Sequence, residues 1–276
     1  MTTDTLHDLP RRPLGQTGLM LSPMGFGTVK LGRNQGVKYP AGFELPDDRT
    51  ALNLLAEAQA LGINLLDTAP AYGSSELRLG TLLRGQRQQW LICSKVGEEF
   101  SDGESSYCYT SEHIRMSVER SLLRLNTDVI DLMLLHSDGN DVDNIQRYGS
   151  LQVLNELKQQ GKLRATGISS KTVEGGLLAL QQSDCAMVTL NLHQQDEQPV
   201  IDYAASHDKG ILIKKALASG HVCLQPGQDP VQASFELIFA RPGVTSVIIG
   251  TLNAGHLRHN VAVMAGMLQS SKSVTD

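Results

Sequence analysis

The sequence predicts an α/β chain closed into a single (β/α)8 TIM barrel, with an N-terminal β-hairpin closing the bottom of the barrel. Three observations carry that prediction. Short β-branched apolar runs alternate with longer stretches of helical spacing along almost the whole chain. There are eight such pairs, and the 276 residues match the roughly 250 that one barrel of this kind needs. Alternating βα units impose a parallel sheet, and near-continuous apolar runs such as 129–135 suit strands buried on both faces.

The apolar runs fall at 23–28, 63–69, 90–96, 129–137, 163–169, 187–193, 210–217 and 246–251. The intervening helices are expected near 48–61, 75–84, 111–125, 150–160, 172–182, 199–208, 230–240 and 254–268. In the first, Leu52, Leu55, Ala56 and Gln59 sit at i, i+3, i+4 and i+7, and Gly62 stands where a C-terminal stop belongs. In the third, Val118, Leu122 and Leu125 make the stripe, entered at Thr110 or Ser111 with Glu112 in the first turn. Leu151, Leu154 and Leu157 repeat the spacing before Gly161. Ahead of the first strand, residues 12–21 read as a small hairpin around a Gly-rich turn. No Pro/Gly/Ser linker divides the chain, so 1–276 is read as one domain, with 1–10 and 270–276 as loose tails.

Composition narrows the function. Hydrophobic residues make up 41% and charged residues 19%, which supports a large core and excludes disorder. A net charge of −5 argues against nucleic acid or an anionic membrane as partner, since both select basic surfaces. No apolar run has the ~18–20 residues of a membrane span, and the N-terminal segment lacks the basic and apolar regions of a secretory signal. The four cysteines, Cys93, Cys108, Cys185 and Cys223, are scattered without a Cys-x-x-Cys pair. A reduced, cytoplasmic protein without disulfides or a zinc site is expected, and the histidines show no metal-like spacing.

Enzymes of this architecture place their chemistry at the C-terminal ends of the strands. Those ends carry Thr28, Asp67, Lys95, His136, Ser169, the Asn191/His193 region, Lys214/Lys215 and Gly250-Thr251. An acid, a lysine and a histidine on three successive strands, ~4.8 Å apart, can converge on one pocket. Tyr72 follows Asp67 by five residues and can fold back over it. A phenol is a weak acid, with pKa ~10. A neighbouring Lys95 ammonium is expected to lower that value, while Asp67 keeps the lysine charged. Such a site protonates an oxygen on which negative charge develops, as carbonyl reduction requires.

With those residues in place, the chain resembles the aldo-keto reductases over nearly its whole length. The resemblance rests on Leu14-Gly15-Gln16-Thr17-Gly18-Leu19, Gly25-Phe26-Gly27-Thr28, the stretch from Asp67 to Glu76, Ser94-Lys95-Val96 and the stretch from Asp131 to Ser137. It continues through residues 161–169 and Leu217-Ala218-Ser219-Gly220. It implies the same barrel and hairpin, and a catalytic tetrad of Asp67, Tyr72, Lys95 and His136 with Tyr72 as general acid. It also implies a nicotinamide cofactor extended across the barrel mouth, although no Rossmann glycine fingerprint is present. Gly27 and Thr28 would line the nicotinamide, Ser169 and Ser170 with Asn191 would lie at its carboxamide, and Lys214 would stand where many members stack a tyrosine. Leu217 and Ser219 would meet the pyrophosphate, and Gly250, Thr251, Asn253, His256 and Asn260 the adenosine end. NADP(H) is the first expectation. His256 stands where NADPH-selective members often carry arginine, so NAD(H) or dual use stays open.

The resulting expectation is a reversible carbonyl reduction, with a small aliphatic carbonyl or a sugar as substrate. One Trp, six Tyr and five Phe are too few for an aromatic-walled steroid pocket. Residues 29–47, the acidic stretch 97–110 and residues 138–143 are read as loops, each either a solvated surface or a substrate lid. Two rivals stay beside this reading: a cofactor-binding regulatory module with vestigial catalysis, and a Schiff-base aldolase using Lys95, Lys214 or Lys215.

Overall fold

A computed structural model describes residues 9–221 and 228–272. Of the tails expected at 1–10 and 270–276, residues 1–8 and 273–276 lie outside the described residues, as does Cys223, whereas Leu9 is buried in the core and residues 270–272 belong to the C-terminal helix.

The chain opens with a hairpin of β1 (Arg12–Pro13) and β2 (Met20–Leu21), in which Arg12 pairs with Leu21. Eight strands follow in the barrel: β3 (Met24–Gly27), β4 (Leu65–Asp67), β5 (Leu91–Val96), β8 (Ile130–His136), β9 (Leu163–Ser169), β10 (Cys185–Thr189), β11 (Gly210–Lys214) and β12 (Val244–Ile249). All neighbours are parallel, and β12 closes the ring by pairing Val247 with Met24 of β3. This is (β/α)8 architecture. A second hairpin, β6 (Glu98–Ser101) with β7 (Glu104–Tyr107), leaves the C-terminal end of β5.

The helices are α1 (Val29–Gly32), α2 (Asp48–Ala60), α3 (Ser75–Leu82), α4 (Ser111–Leu125), α5 (Asp141–Gln146), α6 (Ser150–Gln159), α7 (Val173–Gln182), α8 (Gln198–Ser206), α9 (Pro230–Phe239) and α10 (Ala254–Lys272). Helices α2, α4, α7 and α9 start at side-chain caps that accept otherwise unpaired backbone N–H groups. Asp47 accepts from Thr50 N, Thr110 from His113 N, Thr172 from Gly175 N and Asp229 from Val231 N. Helix α4 ends at Asn126 in the left-handed region, with φ 52°, a conformation asparagine tolerates better than most residues.

Three segments expected as loops contain regular structure. Residues 29–47 begin with α1, and the acidic stretch after His136 holds α5. The stretch 97–110 is mostly the β6–β7 hairpin, turned at Asp102 (φ 52°) and Gly103 (φ 86°). Two successive positive φ values are the backbone demand of a tight hairpin turn, and Asp-Gly is a pair that supplies them.

The core has two layers. Between sheet and helices lies a large shell that includes Phe26, Trp90, Met133 and Phe235. Inside the barrel a smaller cluster includes Leu65, Cys93, Leu132, Leu134, Cys185 and Leu212, joined by Leu14, Leu19 and Leu21 of the N-terminal hairpin. The hairpin thus inserts three leucines into the lumen from below, each contributing about 1.5–3 kcal/mol of transfer free energy. With the lower lumen filled by apolar side chains, the polar residues one layer up face an opening at the C-terminal ends alone. Among the described residues no helix is long and apolar enough to cross a membrane.

Candidate active site

Register brings the three strand-borne site residues together. Asp67 at the end of β4 pairs with Cys93 of β5, and Lys95 stands two residues further on. Side chains two apart in a strand share a face, so Lys95 points up the lumen above the buried Cys93. On β8, Leu132 and Leu134 oppose Cys93 and Lys95, which puts His136 on the same inner face one layer higher.

Tyr72 reaches this layer from a short 3-10 turn, Pro70–Tyr72, that follows β4. Hydroxyls fix the turn's surroundings. Thr28 Oγ1 donates to Asp67 O at 2.8 Å and lies 2.7 Å from Ser75 Oγ, to which Thr68 Oγ1 donates at 3.0 Å. Helix α1 packs against the same turn so closely that a Cβ on Gly32 would overlap Ser75 N and Tyr72 O. Arg33 Nη1 then donates to Ala71 O at 2.9 Å. The short helix in the segment after β3 is therefore a buttress for the tyrosine.

At the centre, Lys95 Nζ donates to Asp67 Oδ1 at 2.5 Å, to Thr68 O at 3.0 Å and to Tyr72 Oη at 3.0 Å. Tyr72 Oη also lies 3.4 Å from Asp67 Oδ2. Burial by itself would push the Lys95 ammonium down. The Asp67 carboxylate, joined by Tyr72 and Cys93, outweighs it and holds the ammonium above the ordinary lysine range. The phenol of Tyr72 departs from the expectation of a lowered pKa: burial first, then the Asp67 charge, push it up, and Lys95 offsets only part of that. Desolvation disfavours the phenolate more than one ammonium, already neutralised by its carboxylate, favours it. Tyr72 therefore keeps its proton until charge develops on a nearby oxygen, which suits a general acid.

His136 lies edge-on to Tyr72, with ring centroids 6.3 Å apart. Burial pushes its pKa below the ordinary histidine value despite the nearby Glu98 carboxylate. Glu98 of β6, which the sequence reading placed in an acidic loop that was either a solvated surface or a substrate lid, puts Oε2 2.9 Å from His136 Nδ1.

One cavity of about 1050 Å³ opens above these side chains and runs from Asp67, Tyr72, Lys95 and His136 across the barrel mouth to His256 and Asn260. Of the positions expected to hold the cofactor, Gly27, Ser169, Lys214, Leu217, Ser219, Gly250, Thr251, His256 and Asn260 stand on its wall. Thr28, Ser170, Asn191 and Asn253 are not on the wall, and protein partners occupy their polar atoms. Thr28 is in the hydroxyl chain above, and Ser170 Oγ donates to Glu197 Oε1 at 2.6 Å. Asn191 Nδ2 donates to Lys215 O at 3.1 Å, and Asn253 Oδ1 accepts from Gly255 N at 2.7 Å and His256 N at 3.2 Å at the start of α10. The carboxamide on the wall after β10 is that of Gln194, which the sequence reading missed because β10 ends at Thr189 and the following bridge reverses the chain.

The wall suits an extended dinucleotide. Gly27 and Gly250 approach so closely that a Cβ on Gly250 would lie 3.0 Å from Gly27 O, so neither side chain obstructs the floor. Lys214 Nζ donates to Ser169 Oγ at 3.0 Å and to Ser170 O, and burial holds its ammonium down to about 8. Arg258 is turned away and pairs with Glu57 at 2.8 Å, while His259 on the wall pairs with Asp229 at 2.9 Å.

Comparison with known proteins agrees with this geometry. The model of the aldo/keto reductase family matches residues 23–229. A crystal structure assigned to the aldo-keto reductases, from Pseudomonas aeruginosa, is 59% identical with a TM-score of 0.87, covering 96% of this chain and 98% of that one. The holo form of an aldo-keto reductase from Bacillus halodurans is 26% identical with a TM-score of 0.78, covering 92% and 90%. The L-galactose dehydrogenase of Arabidopsis thaliana is 26% identical, covering 92% of this chain and 87% of its own.

Proposed function

Because the chain belongs to the aldo/keto reductase family, a family of nicotinamide-dependent oxidoreductases, we propose that Asp67, Tyr72, Lys95 and His136 are the residues with which it interconverts a carbonyl and an alcohol. The observation that carries the assignment is Lys95 Nζ, buried and within 3.0 Å or less of both Asp67 Oδ1 and Tyr72 Oη. The nicotinamide supplies or accepts hydride when bound. The chain's own residues handle the oxygen. Tyr72 Oη gives its proton to the oxygen that becomes anionic, and Lys95 stabilises the phenolate left behind. Asp67 keeps the lysine charged and aimed, and His136 orients the substrate oxygen from the opposite side.

A small polar carbonyl or a sugar is the substrate class. The cavity carries lysines and few aromatic walls, and the related L-galactose dehydrogenase is named for a sugar. We propose NADP(H) as the cofactor, with weak discrimination against NAD(H). At the adenosine end the wall carries the imidazoles of His256 and His259, the latter facing Asp229, and neither offers the bidentate fork with which arginine takes a 2′-phosphate. For the aldolase reading Lys95 loses support as the nucleophile, because Asp67 holds it as an ammonium and an imine needs the free amine.

The test is Tyr72→Phe, with turnover on a carbonyl panel and NADPH and NADH titrations measured in parallel. Turnover is expected to vanish while cofactor affinity stays within about twofold. Full turnover in the variant would overturn the assignment of the acid.

A further inference from the structure

His136 is gripped at two points by residues outside the tetrad. Tyr109 Oη donates to its carbonyl oxygen at 2.8 Å. On the ring, Nδ1 lies 2.9 Å from Glu98 Oε2, with the carboxylate off the N–H axis. Glu98 is itself fixed, since Oε1 accepts from Ser105 Oγ at 2.7 Å across the β6–β7 hairpin and lies 3.9 Å from Arg33 Nη1. Arg33 in turn stacks over Phe100 of the same hairpin, 3.6 Å from the ring centre. The hairpin's turn, its ladder and a cation from the segment after β3 thus hold one carboxylate against one ring nitrogen.

A carboxylate and an unprotonated imidazole nitrogen are both acceptors, and at 2.9 Å they repel. Nδ1 must therefore carry the proton in the neutral ring, which leaves Nε2 without one. Among the described residues Nε2 has no protein partner, and His136 lines the cavity. We infer that Glu98 is a positioning residue that fixes the Nδ1–H tautomer of His136 and makes the doubly protonated ring its hydrogen-bond-donating form toward the substrate oxygen. The inference rests on the orienting role proposed above for His136.

The consequence is chemical. A neutral ring offers substrate a lone pair at Nε2, which fits a hydroxyl. A bare carbonyl oxygen needs a donor there, and Nε2 donates only when the ring is an imidazolium. Glu98 stabilises that cation. Burial disfavours it most, and the Lys95 and Lys214 charges add to that effect. Tyr72 packs edge-on against the ring, and Asp67 pairs with Lys95. Arg33, Ser105 and Tyr107 surround Glu98, which the contact with His136 and its hydroxyl and guanidinium neighbours hold at about 2 despite burial. Across the neutral range the carboxylate is therefore charged and available to the ring.

The experiment is a long-range 1H–15N correlation spectrum of the labelled protein without cofactor, titrated from about pH 5 to 9, with the His136 signals identified by their loss in His136→Gln. The wild-type ring is expected to show protonated Nδ1 and unprotonated Nε2 when neutral. In Glu98→Gln the titration midpoint should fall by about one unit, and Glu98→Asp should restore part of it. Carbonyl reduction by Glu98→Gln should lose about tenfold in kcat/KM above the midpoint and little below it. A neutral wild-type ring protonated at Nε2, a measurement that needs no variant to fold, would overturn the inference. So would an unmoved midpoint in a folded Glu98→Gln protein. Because the tautomer is read without turnover, either result is distinct from a failure of the reductase reading, which Tyr72→Phe decides.

Discussion

Lys95 Nζ and Asp67 Oδ1 lie 2.5 Å apart in a pair whose side chains are 1% and 4% exposed. A pair this deep is held by mutual need, because each charge alone would be stranded in a low-dielectric barrel. Asp67→Asn leaves the ammonium with Thr68 O and Tyr72 as its partners. Burial, no longer opposed by the carboxylate, then pulls the lysine pKa down. Lys95→Met strands the carboxylate in the same way. Each single variant is expected to lose about 3–5 kcal/mol of stability, and Asp67→Asn/Lys95→Met less than the sum of the two. Urea unfolding of the three variants gives the comparison, and strict additivity would show that the two charges act independently.

Lys214 permits a prediction about redox state. Its ammonium, pushed down to about 8 by burial and by the Lys215 and Lys95 charges, is mostly charged at pH 6.5 and mostly neutral at pH 9.5. Under the proposed reading it lies beside the nicotinamide, whose oxidised ring is cationic and whose reduced ring is not. The oxidised cofactor should therefore bind about 3- to 10-fold more tightly relative to the reduced one as pH rises through that window, a gap of about 1 kcal/mol. Lys214→Met should remove the pH dependence. Fluorescence titration with reduced cofactor, and displacement by oxidised cofactor, reads both affinities at the two pH values.

Much of this site was legible because period and position coincide. All eight barrel strands and the eight flanking helices announce themselves by periodicity. Asp67, Lys95 and His136 each end an apolar run, where such barrels put chemistry. Glu98 was not legible. Its hairpin reads Glu-Glu-Phe-Ser, Asp-Gly, Glu-Ser-Ser-Tyr, a low-β-propensity sequence whose one clear signal is the Asp102-Gly103 turn. The sign of the Tyr72 shift was hidden as well, because residue identity names the ammonium but not the depth of burial that outweighs it. Arg258 and Asn253 show the same limit. The family resemblance places their segment at the adenosine end, yet one pairs with Glu57 and the other caps α10.

Cofactor choice should respond to a single side chain. His256 is an exposed residue of the cavity wall at the start of α10, and Arg258 is committed to Glu57. His256→Arg introduces a planar guanidinium that can hold a 2′-phosphate through two parallel hydrogen bonds. The ratio of NADPH to NADH affinity is expected to rise about tenfold, with NADH affinity itself nearly unchanged. Equal effects on both cofactors would place the 2′-hydroxyl elsewhere on the wall.

The junction between β5 and its hairpin makes a sharper demand. Gly97 has φ +107°, and a Cβ there would lie 2.5 Å from Tyr109 Cε1. Alanine at 97 is strained in its backbone and also collides with the ring whose hydroxyl holds His136 O at 2.8 Å. Gly97→Ala is expected to cost about 1–3 kcal/mol and to lower the melting temperature by several degrees. Turnover should fall as well, because the displaced Tyr109 releases the His136 backbone and Glu98 begins one residue later. Tyr109→Phe separates the two effects: it keeps the ring and loses only the hydroxyl bond, so its stability loss should be about 1 kcal/mol. A Gly97→Ala protein as stable as the wild type would mean that the hairpin can pivot away from Tyr109, and the rigid grip on His136 would then have to be abandoned.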